Sequence, residues 1–271
     1  MKRLPLSCFI IAKNEADRIV RTIRAVKDWA GEIVVIDSGS TDGTQALAEA
    51  EGARVIFNAW PGFGQQKRFG ETQCRNEWLL NLDADEVVSP KLAAAIQALF
   101  GPGEPALAVY ALRINDVYPG QSQPRLWAND YVQPRLYDRR RVRFKDSMLH
   151  DSLETAGMKA GVLNGDVHHF SSRSLDDQLQ KMVERARYNA DHSKVKPAGI
   201  LRFRLWFEFP ASFLRYYVMR RHFTGGLMGF QTSMIGAFSR FARIAQMLET
   251  AERPERAKAR ADALNERAKG L

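Results

Sequence analysis

Short apolar runs alternate with amphipathic stretches through the first hundred residues of the chain. The runs Leu6–Ala12, Glu32–Asp37, Arg54–Phe57 and Trp78–Leu82 are β-rich, and each ends in polar residues. Between them, Ala16–Trp29 puts Ile19, Ile23 and Val26 on one helical face, and Thr41–Glu51 and Gly64–Arg75 follow with similar periodicity. This alternation predicts stacked βα units around a mainly parallel sheet flanked by helices, an α/β fold. Ligands of open α/β sheets bind beyond the carboxyl ends of the strands, so the chemistry is expected at these polar exits.

The rhythm changes after Gly101-Pro102-Gly103-Glu104-Pro105, a loop by composition. Strand-like pieces at Ala106–Ile114, Tyr131–Tyr137 and Val142–Phe144 predict an antiparallel extension of the same sheet, interrupted by a polar loop with Pro119, Gly120 and Pro124. Ser174 with Asp177 three residues on forms a capping-box pattern, and Leu175, Leu179, Met182, Val183 and Ala186 follow at helical spacing. The expected division is a catalytic α/β domain over residues 1–173, in two parts at 1–100 and 101–173, then a helical region over 174–271. Glu252–Lys269, where Ala alternates with Arg, Lys and Glu, predicts a solvated helix or tail.

Composition narrows the class. With 45% hydrophobic and 26% charged residues in 271, the chain is an ordinary globular protein rather than a disordered one. Cys8 and Cys74 make neither a disulfide framework nor a metal cluster, so both are expected to be buried thiols in a reducing, cytoplasmic compartment. The opening MKRLPLSCFIIAKNEA runs straight into Lys13-Asn14-Glu15 without a small-residue cleavage site and reads as a first strand, not a signal peptide. No run of 18 apolar residues occurs, so no spanning helix is expected. The net charge of +9 calls for a polyanionic neighbour: nucleic acid, a phosphate-rich lipid surface or a phosphorylated glycan.

The sharpest chemical signal is Leu79-Leu80-Asn81-Leu82-Asp83-Ala84-Asp85-Glu86, an apolar strand delivering two carboxylates two residues apart. At period 2, Asp83 and Asp85 would share one side, and hard oxygen ligands suit Mg²⁺ or Mn²⁺ bridging a diphosphate. Ile33-Val34-Val35-Ile36 ends in Asp37-Ser38-Gly39-Ser40-Thr41-Asp42-Gly43-Thr44, where Asp37 and Asp42 could accept from a base or from ribose hydroxyls. The alternative for Ser40 to Thr44 is a capped turn without a ligand. The first strand ends Ala12-Lys13-Asn14-Glu15, bringing a third polar exit to the same edge.

These three exits at these intervals resemble the family 2 inverting glycosyltransferases, strongly over residues 4–100. Trp60-Pro61-Gly62-Phe63-Gly64-Gln65-Gln66-Lys67 is similar, more narrowly, to the lipopolysaccharide-core β-1,4-glucosyltransferase branch, with weaker similarity at Arg135-Leu136-Tyr137, His150-Asp151 and Gly225–Phe230. The resemblance implies a GT-A fold, a UDP- or similarly activated sugar as donor, Mg²⁺ or Mn²⁺, and inversion at the anomeric carbon. It implies nucleotide-sugar contacts at Ala12, Glu15, Asp37, Asp42, Lys67, Asp83 and Ala84, with Asp83 and Asp85 at the metal. The plainer alternative for Lys67 is a solvated helix lysine. The acceptor implied is a lipid-linked glycan such as lipopolysaccharide inner core, with a polyprenyl phosphate or an exopolysaccharide as alternatives.

Inversion by direct displacement also needs a base for the acceptor hydroxyl. In the branch resembled, a His-Glu pair follows the second set of strands; here it reads His150-Asp151, which nominates Asp151, with Asp130 and Asp146 in reserve. His168 and His169 are adjacent on a strand, face opposite ways and cannot readily share one ion. Gly225 stands where similar sequences carry Asp, which removes support for an acceptor contact there. Leu201–Met247 interleaves seven arginines with aromatics against the single acid Glu208, a pattern that fits contact with an anionic membrane or helices packing on the catalytic domain. A nucleic-acid-binding role would share that charge, but no recognition-helix or zinc-finger pattern supports it and it leaves the acidic exits unexplained. The expected location is therefore the inner face of the cytoplasmic membrane.

Overall fold

The computed structural model describes residues 3–128, 130–148, 151–191 and 196–253. His150 and all but the start of the Glu252–Lys269 tail lie outside the described residues. The chain forms two compact units, Met1–Val117 with Asn129–Ser171 and Tyr118–Ala128 with Ser172–Leu271.

The first unit is built on β1 (Leu4–Ala12), β2 (Ala30–Asp37), β3 (Arg54–Phe57) and β4 (Trp78–Asp83), linked by α1 (Ile19–Arg24), α2 (Thr44–Ala50) and α3 (Phe63–Gln73). It continues through β5 (Glu86–Val88), α4 (Pro90–Leu99), β6 (Val109–Asp116), β7 (Tyr131–Asp138) and β8 (Gly161–His169). The strands form one mixed sheet in the order β3-β2-β1-β4-β7-β6-β8-β5. The first four pair in parallel, and β7 joins β4 antiparallel.

Burial explains why the central strands read as continuous apolar runs. Alternating residues feed two cores: Leu6, Cys8 and Ile10 pack with Ile19, Ile23 and Val26, while Phe9 packs with Val34, Ile36 and Leu79 on the other face. A strand covered on both faces has no solvent side to mark with polar residues. Each fully buried Leu or Ile contributes about 1.5–3 kcal/mol, which fixes the register that aligns the strand ends. Ala12 lies opposite Asp37, and Ile11 opposite Asp83.

Three expectations need correction. The first helix occupies only Ile19–Arg24, because the preceding turn is committed to tying loops together and Arg18 turns its guanidinium inward. Val142–Phe144 is not a strand: Phe144 donates its N–H to the Glu71 carboxylate, leaving a single bridge to Leu153. Gly161–His169 is a strand with no clean alternation in its sequence. Gly165, at φ +107, sits where a Cβ would lie 2.4 Å from the Leu92 nitrogen, so the strand bends against α4. It pairs parallel to β6, so the extension is not wholly antiparallel.

The second unit contains α5 (Leu175–Asp191), α6 (Ala198–Leu214), a π-turn at Arg215–Met219, a 3-10 turn at His222–Gly225 and α7 (Gly226–Glu252). Ser174 caps α5 by accepting from Asp177 N–H, while the Asp177 carboxylate reaches back to the Arg173 N–H. Leu201, Ile244 and Met247 form a small core between α6 and α7, and Glu208 ties the two helices by pairing with Arg204 at 2.6 Å and Arg240 at 3.2 Å. Among the described residues, no helix is long and apolar enough to cross a membrane.

Candidate active site at the strand exits

The loops leaving β1 and β2 brace each other. Asn14, Glu15 and Ala16 donate their N–H groups to Ser40 Oγ, Thr44 Oγ1 and Asp42 Oδ2, at 2.8, 2.8 and 3.0 Å. Asp42 also accepts from the Thr44 N–H and hydroxyl, so this carboxylate is a loop clamp. Asp37 is buried; its Oδ1 accepts from the Gly39 and Ser40 N–H groups and from Gln45, and its Oδ2 from the Ser40 hydroxyl. Burial opposes the Asp37 charge, but these donors outweigh it and hold the carboxyl below its usual range. Oδ2 accepts from the Ser40 hydroxyl alone and so keeps lone-pair capacity for a further donor. Ala12 and Ala84 are buried beside these loops, their carbonyls taken by the Ser38 N–H and the Thr22 hydroxyl.

The charged centre lies beside them. Lys67 is completely buried, correcting the solvated alternative, and its Nζ contacts Asp83 Oδ1 at 2.9 Å and Asp151 Oδ2 at 2.8 Å, with the Phe144 ring centroid 5.4 Å away. An ammonium can be buried this way only with paired carboxylates. Asp83 and Asp151, 68 residues apart in sequence, are thereby gathered on one cation. Arg135 approaches from β7, donating to Asn81 at 2.8 Å, Asp83 at 2.9 Å and Glu86 at 2.7 Å. Burial disfavours the Asp83 charge, but Arg135 and Lys67 prevail and keep its carboxyl well below the usual carboxylate range.

Asp151 is delivered by a loop docked on α3. The N–H groups of Phe63 and Gly64 donate to the carbonyls of Met148 and Ser147, and Arg68 donates to the Phe144 carbonyl. Gly62, at φ +135, is required because a Cβ would lie 2.6 Å from Met148 Cα. Glu71 anchors the loop's start, accepting from the Tyr137 hydroxyl, Arg143 and the Phe144 N–H.

Asp85 does not join Asp83 on these cations, because the Ala84–Asp85 turn into β5 breaks the pleat. It pairs instead with Arg18 at 3.2 Å and faces His169 Nε2 at 3.6 Å. Glu15 accepts from the same Arg18, which also donates to the Phe170 carbonyl. His169 contacts Asp116 at 2.8 Å through Nδ1; burial opposes its protonation, yet the two carboxylates push its pKa up to about 10. Its neighbour His168 turns away, toward Asp166 at 3.5 Å. Asp130 accepts from the Asp116 N–H, and among the described residues Asp146 makes no hydrogen bond or ion pair with this centre.

Among the described residues, no three His, Cys, Asp or Glu side chains are arranged to hold a metal ion. The donor chemistry at Asp85 and His169 nevertheless suits a divalent cation, since Mg²⁺ sites commonly use one or two carboxylates and complete their shell with phosphate oxygens and water. The imidazole would have to give up its proton to ligate.

Arg18, Glu86, Asp116 and the inward role of Arg135 escape a motif reading. The available signal is Arg135 inside a strand otherwise buried at Leu136 and Tyr137, where a charge requires an acidic partner.

The sequence profile described as Glycosyl transferase family 2 matches residues 7–164. An uncharacterized glycosyltransferase of Rickettsia felis is 36% identical over 268 residues, 95% of this chain and 94% of that protein. The lipopolysaccharide core biosynthesis glycosyltransferase LpsC of Rhizobium meliloti is 28% identical over 261 residues, 91% of this chain and 93% of that one. Glucosyl-3-phosphoglycerate synthase from Mycobacterium tuberculosis, solved with Mn²⁺, UDP and glucosyl-3-phosphoglycerate, is 25% identical with a TM-score of 0.32, over 42% of this chain and 44% of that one.

Proposed function

Since the chain belongs to glycosyl transferase family 2, we propose that it is an inverting hexosyltransferase that moves a sugar from a nucleotide-sugar donor, a UDP-sugar, to a lipid-linked glycan such as lipopolysaccharide inner core. The observation that carries this reading is the buried Lys67 bridging Asp83 and Asp151. One ammonium ties a carboxylate of the Asp-Ala-Asp exit to a half-exposed carboxylate suited to act as a base. The 28% identity to LpsC along nearly the whole chain supports the choice of acceptor. The buried, free Cys8 and Cys74 support a reducing compartment.

In this reading the loops after β1 and β2 hold the nucleoside, with Glu15, Asp37 and the bracing Asp42 setting their shape. Asp151 Oδ accepts the proton of the acceptor hydroxyl as the new C–O bond forms at the anomeric carbon and the bond to the diphosphate breaks. Lys67, paired with Asp83 and Asp151, would supply positive charge as negative charge develops on the departing diphosphate. Asp85, with His169, would hold a divalent Mg²⁺ or Mn²⁺, which when bound supplies charge neutralisation on the leaving group.

A hydrolysis and transfer screen with UDP-glucose, UDP-galactose, UDP-N-acetylglucosamine and GDP-mannose tests the donor class. Turnover of one UDP-sugar, raised by added lipopolysaccharide core acceptor, is expected. Turnover of GDP-mannose alone, or no response to the acceptor, would contradict the proposal.

A further inference from the structure

The second unit contains a helix that is apolar on two opposite sides. On one side α6 buries Leu201 and Ser212 and half-buries Leu205, around the Glu208 ion pairs to Arg204 and Arg240. On the other side Phe203, Trp206, Phe207 and Leu214 are 69%, 81%, 57% and 58% exposed. At about 100° per residue these four fall within one stripe roughly 100° wide. Four large apolar side chains exposed in one stripe normally mark a contact surface, and among the described residues nothing covers this one.

The charge of the same unit identifies the partner. Leu201–Met247 holds seven arginines against Glu208 alone, and Glu208 is already engaged by Arg204 and Arg240. At the C-terminal end of α6, Arg215, Arg220 and Arg221 are exposed and make no ion pair among the described residues. An interfacial helix of this kind seats its aromatic face at the headgroup boundary and its basic residues on lipid phosphates. A spanning role is ruled out for α6 by length, since 17 residues reach only about 25 Å. A second copy of the chain would bring the same arginines face to face, whereas an anionic bilayer complements them.

We propose that the Phe203, Trp206, Phe207 and Leu214 stripe of α6 is a membrane-seating face that enters the acyl boundary of an anionic lipid surface, with Arg215, Arg220 and Arg221 on the headgroup phosphates. This rests on the second unit alone and does not depend on the donor-site reading.

The test uses the full chain with vesicles of phosphatidylcholine alone or mixed with phosphatidylglycerol. Co-sedimentation is expected only with the anionic vesicles, falling as salt rises. The exposed positions allow F203S/W206S/F207S to be made with an unchanged melting curve, and this variant should bind at least about tenfold more weakly. Brominated phosphatidylglycerol should quench Trp206, one of five tryptophans, and the quenching should disappear in W206F. Charge reversal in R215E/R220E/R221E should remove the preference for anionic vesicles. The proposal is overturned if wild type ignores both vesicle types, or if the serine variant binds like wild type, since attraction would then be electrostatic without insertion. It is equally overturned if light scattering shows a wild-type dimer that the serine variant makes monomeric while vesicle binding is absent, since another copy would then cover the stripe.

Discussion

Replacing Arg135 by Met removes the cation on which Asp83 and Glu86 converge while retaining most of the side-chain volume. Arg135 is 4% exposed and Glu86 1%. Asp83 keeps Lys67, but among the described residues Glu86 keeps only the hydrogen bond from the Asp83 N–H, at 3.0 Å. Stranding one buried charge costs about 3–5 kcal/mol. For a chain of this size that lowers Tm by roughly 6–20 °C. The loss should depend on pH. Burial already pushes the Glu86 carboxyl up from its usual value, and loss of Arg135 pushes it further. A carboxyl whose folded pKa is raised is harmless while neutral below its unfolded pKa, and destabilises as pH rises through the folded value. The deficit of Arg135→Met should therefore be smaller at pH 5 than at pH 8, and Arg135→Met with Glu86→Gln should recover most of it. Urea and thermal unfolding at both pH values measure this. A variant within about 0.5 kcal/mol of wild type at pH 8, the range of ordinary surface substitutions, would refute the buried-charge reasoning.

Calorimetry with UDP should show Mn²⁺-supported binding that weakens strongly with chelator or with Asp85→Ala; equal affinity in all three conditions would remove Asp85 from the metal. Cys74, buried and accordingly pushed up to about 12, and Cys8, raised further, should resist a disulfide reagent at pH 8 until denaturant is added. Rapid labelling of the native protein would show that the central strands open readily. Asp166 is held down to about 2 by His168 foremost, against burial, with help from Asn115 and Ser89. Its contribution is present above the unfolded carboxylate range and lost as pH falls from about 4 toward 2, so Asp166→Asn should flatten the acid limb of the stability curve there.

The parallel half of the fold was legible because each strand is an uninterrupted apolar run between amphipathic helices, and register then follows from burial. Strand β8 was not, because Val162 is exposed and Gly165 interrupts the pattern. In the site, Asp37, Asp83 and Lys67 could be picked out from local motifs. What no local pattern carries is pairing across distance: Arg18 reaches 67 residues to Asp85, and Lys67 reaches 84 residues to Asp151. Nor could period-2 reasoning foresee that the turn after Asp83 sends Asp85 to a different set of cations.

The central claim is tested most directly by single-turnover transfer from the preferred UDP-sugar to lipopolysaccharide core acceptor with Asp151→Asn, beside Asp130→Asn and Asp146→Asn. Asparagine keeps an oxygen for Lys67 but cannot take the acceptor proton, and Lys67 retains Asp83 at 2.9 Å. The expected result is wild-type UDP affinity and melting temperature with transfer reduced about 10²–10⁴-fold in Asp151→Asn alone. Near wild-type transfer by Asp151→Asn, with one of the other two variants inactive, would contradict the assignment and move the base to that residue.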